Sequence, residues 1–169
     1  HTLNKVPAPI DPDIQATIGE RGKVYGLRLL STRRRPAGAG SEEDRLAGSG
    51  DVLEIDCLHL ADGLPFALEH RLISLAAVPA AVEADFSKTP PGTWLLAHVP
   101  WTEAEHRIGA RAADARAAER LNIPKGAPCL MLERRTWRAA AHVTWVRQLF
   151  PADAFDLVAR FTPKGDAAG

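Results

Sequence analysis

Asp62 and Gly63 stand between two strand-like runs, and this pair constrains the chain more than any other feature. Both central positions of a two-residue hairpin turn need positive φ, which Gly adopts freely and Asp tolerates. Residues 52–60 before the pair are rich in Val, Ile and Leu, and residues 65–74 return after it. The period of two puts Leu64, Phe66, Leu68 and Leu72 on one face of the returning strand, and Ala67, Glu69 and Arg71 on the other. One face packs, and the other carries an acid and a base side by side.

A lone hairpin is marginal in water, so the rest of the chain must supply its partners. Residues 24–35, with Tyr25, Leu27 and Leu29 alternating, predict a strand that ends in Arg33, Arg34 and Arg35. Residues 36–50 are rich in Gly, Ala and Ser and predict a loop or a degraded helix, without the Gly-x-Ser-x-Gly pattern of a nucleophile elbow. A short helix is expected over 76–86, a break at Pro90 and Pro91, and a helical turn over 93–99. Ala104, His106, Ile108 and Ala110 alternate and favour a strand over 102–112. Asp114 is a good N-cap for a helix whose inner stripe is Ala117, Ala118 and Leu121. Residues 129–138 and 143–150 read as strands about Ala139, Ala140 and Ala141, and residues 155–161 as a last edge strand. Hairpins and helices with little βαβ alternation give an α+β fold on an antiparallel sheet. The sequence shows no internal repeat.

The 169 residues, 46% of them hydrophobic, suit one domain with a sizeable core. Residues 1–20, with Pro7, Pro9 and Pro12, read as a linker leading into a short helix at best; residues 21–163 form the domain and 164–169 a tail. The 21 basic residues balance 21 acidic ones, which argues against a protein that wraps nucleic acid. No apolar run approaches the ~18 residues of a membrane helix. Cys57 and Cys129 are too few for a disulfide scaffold, so a reducing cytoplasm is expected. The chain starts at His1 without a secretory signal, which reads as a fragment of something longer.

The residue chemistry leaves alternatives. Glu69 and Arg71 either pair on a solvated sheet face or frame a pocket, where Arg71 offers a planar fork for a carboxylate. His98, His106 and the Cys57-x-His59 spacing invite a metal, but no H-E-x-x-H, C-x-x-C or His-x-His pattern is present, so no metal or cofactor is expected. Cys129 reads as a small buried hydrophobe, and Arg33 to Arg35 as a solvated turn. The region of Trp137 and Trp145 is a candidate dimer face.

A longer pattern lies over these residues. Glu105-His106-Arg107-Ile108-Gly109 leads to Ala117-Ala118-Glu119-Arg120-Leu121-Asn122-Ile123. Pro128-Cys129-Leu130 and Glu133-Arg134-Arg135-Thr136-Trp137 follow, then Val143-Thr144-Trp145-Val146-Arg147-Gln148-Leu149-Phe150 and on to Phe155. In order and spacing this resembles the UTRA domain of GntR/HutC-type bacterial regulators. Within them it is most similar to histidine-utilisation repressors, through His59, Glu69 with Arg71, residues 91–95, and residues 128–137.

The resemblance implies a chorismate-lyase-like fold used as a sensor without catalytic activity. Its pocket would lie between sheet and helices, and a DNA-reading winged helix-turn-helix would lie outside this chain. It implies urocanate or a related histidine catabolite as effector, action as a homodimer on operator DNA, and no membrane. The implied ligand-binding residues are His59, Glu69, Arg71, Trp94, Thr144 and Phe150, with Cys57, Thr93, His106 and Phe155 on the rim. Arg71 would take the carboxylate and Glu69 an imidazole N–H, while His59 would bond either end and Trp94 and Phe150 would stack on the ring. Arg147 falls on the opposite face from Thr144 and is left out. Cys57 and His59 stand where some relatives carry phosphate-holding arginines, which argues against a phosphosugar. A small lyase on the same fold, or a sensor of another metabolite, are the competing readings.

Overall fold

The computed structural model describes residues 13–38, 40–48, 50–158 and 160–163; most of the expected linker and the tail lie outside them. The elements run α1 (Ile14–Glu20), β1 (Tyr25–Pro36), α2 (Glu42–Ala47), β2 (Asp51–Ala61), β3 (Leu64–Ser74), a 3-10 helix (Pro79–Glu83), α3 (Pro91–His98), β4 (Glu103–Ala112), α4 (Ala115–Leu121), β5 (Pro128–Arg138) and β6 (Ala141–Pro151). The six strands form one antiparallel sheet in the order β1-β2-β3-β6-β5-β4. The fold is α+β, as expected. Each half of the sheet is strand, helix, hairpin, and the halves meet where β3 pairs with β6. That duplication lives in topology, where a search for repeated residues does not see it.

The hairpin at Asp62 and Gly63 forms with φ of 51° and 78°. Its Asp62 side chain also accepts from the Val24 backbone N–H at 2.7 Å, fixing the start of β1. The β5–β6 turn uses Ala139 and Ala140 at positive φ, a strained choice for alanine, and Thr102 Oγ1 accepts from the Ala139 N–H at 2.9 Å. Asp114 caps α4 by accepting from Ala117 N at 2.8 Å, and Asn122 ends it in the left-handed conformation.

Both faces of the sheet are covered. On one, Ile14 and Ile18 of α1 pack with Phe66, Leu132, Phe150 and Phe155, while the segment from the 3-10 helix through α3 packs on Leu53, Ile55, Ile73 and Val143. On the other, α4 covers Leu58 and Cys129, and α2 covers Val52, Leu72 and Trp145. The acid–base face of β3 is therefore interior rather than solvated.

Four expectations are corrected. Phe66 does not share a face with Leu68 and Leu72. A bulge pairs His59 with Ala67 and Leu60 with Pro65, and Phe66 turns into the aromatic cluster of the other face. Residues 155–158 and 160–161 form no strand. After the turn closed by Ala154 N on Pro151 O, Phe155 drops onto Phe150 at 4.4 Å, so the chain crosses a face and finds no ladder partner. The helix expected over 76–86 is only the 3-10 turn Pro79–Glu83. Of the candidate dimer face, Trp145 is buried against α2, whereas Trp137 is half-buried.

Candidate functional site

Strand register assembles the site. Cys57 lies opposite Glu69, and Glu69 lies opposite Gln148, while Arg71 sits two residues further along β3. With Thr144 they occupy the face roofed by α1 and α3, where a cavity of about 390 Å³ opens. That is within the usual size of small-molecule pockets. Its walls include Asp13, Ile14 and Gln15 at α1, Gly92, Thr93, Leu96 and Ala97 of α3, and Tyr25, Glu69, Arg71, His106, Arg134, Val146 and Gln148 of the sheet.

Glu69 is the centre of a buried network. Its Oε1 accepts from His59 Nε2 and from Gln148 Nε2, both at 2.9 Å, and its Oε2 accepts from Arg71 Nε at 3.1 Å. Burial works to raise its pKa, but the Arg71 charge and then the His59 and Gln148 hydrogen bonds outweigh it and hold the carboxyl well below the usual range. Arg71 Nη1 donates to Thr144 Oγ1 at 3.3 Å, and Thr144 donates in turn to the Leu72 carbonyl at 2.8 Å. Arg71 Nη2 faces α3 so closely that a Cβ on Gly92 would stand 3.2 Å from it. The guanidinium is held at Nε and Nη1, and its Nη2 lies beside Gly92, which lines the cavity together with Arg71. On the other ring nitrogen, His59 Nδ1 meets the hydroxyl of Tyr25, itself a cavity-lining residue, at 2.7 Å.

The structure thus brings together His59, Glu69, Arg71 and Thr144, with Thr93 and His106 on the cavity wall. Four other expected residues lie elsewhere. Trp94 turns away from the cavity because Gly92, Thr93, Leu96 and Ala97 take that side of α3; it stacks on His98 at 4.4 Å and meets Phe86 edge-on. Phe150 and Phe155 stack on each other and meet Phe66 edge-on, with no ring face left for a ligand. Cys57 is sealed beneath Glu69, and burial pushes its thiol well above the ordinary value. Arg147 does lie on the far face, where it donates to Glu133 at 2.7 Å.

Tyr25, Gln148 and Arg134 are wall residues that the sequence reading passed over. Gln148 and Val146 follow from Thr144 by the period of two, so the signal for them was present. Tyr25 and Arg134 depend on pairing partners that no local pattern reveals. Register also gathers Cys57 Sγ, His59 Nε2 and a Glu69 oxygen within 4.8 Å of one another, ligand types that zinc takes. The spacing rules did not flag this trio, since strands rather than a linear motif create it. His59 Nε2 already donates to Glu69, and Arg71 shares the same carboxylate, so a cation there would sit beside a guanidinium.

Residues 20–156 match the family described as the UTRA domain. The chain is 33% identical over 151 residues to a histidine utilization repressor of Pseudomonas putida, covering 89% of this chain and 61% of that protein. It is 35% identical over 104 residues to one of Klebsiella aerogenes, covering 62% and 43%. It therefore spans less than two thirds of either relative. Among solved structures, it resembles the C-terminal domain of a histidine utilization repressor from Pseudomonas syringae pv. tomato. The TM-score is 0.75 at 28% identity, over 82% of this chain and 99% of that one. It shares the fold of the PhnF effector domain from Mycobacterium smegmatis, TM-score 0.78 at 17% identity, over 92% and 98% of the two chains.

Proposed function

The chain belongs to the UTRA domain family of GntR/HutC-type regulators, and from that premise we propose that it is the effector-binding domain of a histidine-utilisation repressor that senses urocanate. The observation that carries this reading is the Arg71 guanidinium, fixed by Glu69 and Thr144 with one edge toward a cavity of about 390 Å³. A planar carboxylate matches that edge, and the apolar wall of Leu96, Ala97, Leu132 and Val146 suits a flat unsaturated body. Glu69 serves as the brace of the clamp, because its oxygens are taken by protein donors.

In this reading residues 21–163 are the sensing domain, residues 1–20 lead to it and 164–169 trail it. Operator DNA is read by a part of the protein outside the chain, in a cytoplasmic homodimer that matches a two-fold operator. Asp13, Ile14 and Gln15 line the cavity at the start of α1, so an effector touching α1 acts on the segment that leads out of the domain. The effector shifts the regulator only if it binds one conformation better than the other. Catalysis on the same fold finds no support here: a carboxyl held ionised is a poor general acid, and a buried thiol is a poor nucleophile.

Calorimetric titration with urocanate, histidine and imidazole propionate, alongside Arg71→Ala, tests the proposal. Urocanate is expected to bind on the order of micromolar Kd, weakened by about 2 kcal/mol or more in the variant. No binding within that set ends the urocanate reading.

A further inference from the structure

We infer that Tyr25 is a specificity-determining residue of the cavity, one that presents only an acceptor and so selects ligands carrying an N–H or O–H donor opposite it. The inference rests on the effector reading above and concerns a residue that reading does not use.

The argument is a chain of hydrogen-bond directions. Glu69 is ionised and can only accept, so His59 Nε2, 2.9 Å from its Oε1, must carry the proton. One buried carboxylate is already matched by one buried guanidinium at 3.1 Å, which leaves no counter-charge for an imidazolium. In the inferred arrangement Nε2 holds the one ring proton of His59, and Nδ1 is an acceptor. Among the described residues the hydrogen that meets Nδ1 is that of the Tyr25 hydroxyl, at 2.7 Å, so Tyr25 donates inward. Burial first, and then the neighbouring Cys57, Glu69 and Asp13, push the phenol up, which keeps that proton in place. Tyr25 lines the cavity, and what remains of its oxygen for a ligand is a lone pair. The same logic orients Gln148: its NH₂ faces Glu69, so its carbonyl is the second fixed acceptor.

The cavity is thus read by the donor edge of Arg71 and by acceptors fixed through Glu69. A ligand with a carboxylate and an N–H satisfies both, whereas one whose ring offers only an acceptor leaves Tyr25 facing a lone pair.

The test is calorimetric titration of the full 169-residue chain and of Tyr25→Phe with two probes. Urocanate has the ring N–H, and 3-(2-furyl)acrylate keeps the planar ring, double bond and carboxylate without it. The unaltered chain should prefer urocanate about tenfold, and Tyr25→Phe should lose about tenfold for urocanate and less than twofold for the furan. Equal loss of both probes, or loss of neither, overturns the role of Tyr25 while the effector reading stands. Binding of neither probe by the unaltered chain overturns both. Because the urocanate ring also carries an acceptor nitrogen, nitrogen-15 NMR of His59 in the unaltered chain fixes the direction, and it decides alone if Tyr25→Phe does not fold. A proton on Nε2 alone supports the inference, and a proton on Nδ1 overturns it, because Tyr25 would then turn its own proton to the cavity.

Discussion

At Glu69 the spacing Glu-x-Arg was legible, but the direction of its use was not. Two residues apart on a strand, Glu69 and Arg71 had to share a face, and only the depth of burial decides between a solvated pair and a clamp. That depth comes from α1 and α3, which no residue on β3 announces. The sequence analysis expects Glu69 to meet the ligand; in the structure three protein donors hold its oxygens at the cavity wall. Trp94 and Phe150 lie away from this cavity for a related reason. An aromatic residue fits a pocket wall and a core equally well, and the neighbours that decide lie far away in sequence. The brace role has an energetic consequence. Glu69→Gln removes the counter-charge and strands the Arg71 guanidinium in a buried layer, which costs about 3–5 kcal/mol when one partner of such a pair is deleted. Urea denaturation should show that loss, and Glu69→Gln combined with Arg71→Met should be less destabilised than Glu69→Gln alone, as no buried charge is left over. A single variant no less stable than the parent would mean that the pair is not a buried unit.

At the scale of elements, what the sequence states locally is what it states well. The Asp62–Gly63 turn, the Asp114 cap and the β5–β6 hairpin each carry their signal in adjacent residues. The segment 155–161 and the Phe66 bulge do not, because alternation describes a possible strand and cannot say whether an edge is there to pair with. α3 shows how an element shapes the site. Pro90 and Pro91 start it, and Gly92 brings its first turn against Arg71 with no side chain between. In Gly92→Ala the new Cβ would stand 3.2 Å from Arg71 Nη2, so the donor edge must give way. Alanine also favours the helix over glycine by roughly 1 kcal/mol. The two effects separate cleanly: Gly92→Ala should keep or slightly raise Tm while weakening urocanate by about tenfold, the scale of one displaced hydrogen bond. Unchanged affinity would show that Nη2 does not meet the ligand.

Over the whole molecule, the fold class and the family pattern were readable because they rest on order, which survives substitution, whereas the doubled strand–helix–hairpin plan was not, because it rests on topology alone. The same sheet that builds the cavity sets how the molecule answers to pH. Burial opposes ionisation of Glu54 and Asp56, but Arg35 and Arg33 outweigh it at Glu54, and His70 and Arg116 do so at Asp56; both carboxyls, like Glu69, are held below the ordinary range. The unfolded chain has no such partners, so below about pH 4.5 it binds protons that the folded chain refuses. Their contribution to stability is then complete above the unfolded carboxylate pKa and lost as pH falls toward the depressed folded values. Cys57 and Tyr25 act at the other end with the opposite sign. Burial raises both groups, so above roughly pH 8.5 the unfolded chain releases protons that the folded chain retains, and stability falls as pH rises. Burial, and then the Arg135 charge, also lower His142, so on acidification the unfolded chain gains protons first below about pH 6.5. Urea midpoints measured from about pH 3 to pH 10 should therefore form a plateau between about pH 6.5 and pH 8 with a decline on each side. Cys57→Ala should flatten the first part of the alkaline decline, because that limb begins with the thiol before the phenol. Midpoints that rise on acidification from pH 5 to pH 3 would contradict the buried carboxylate network, and with it the clamp that the cavity depends on.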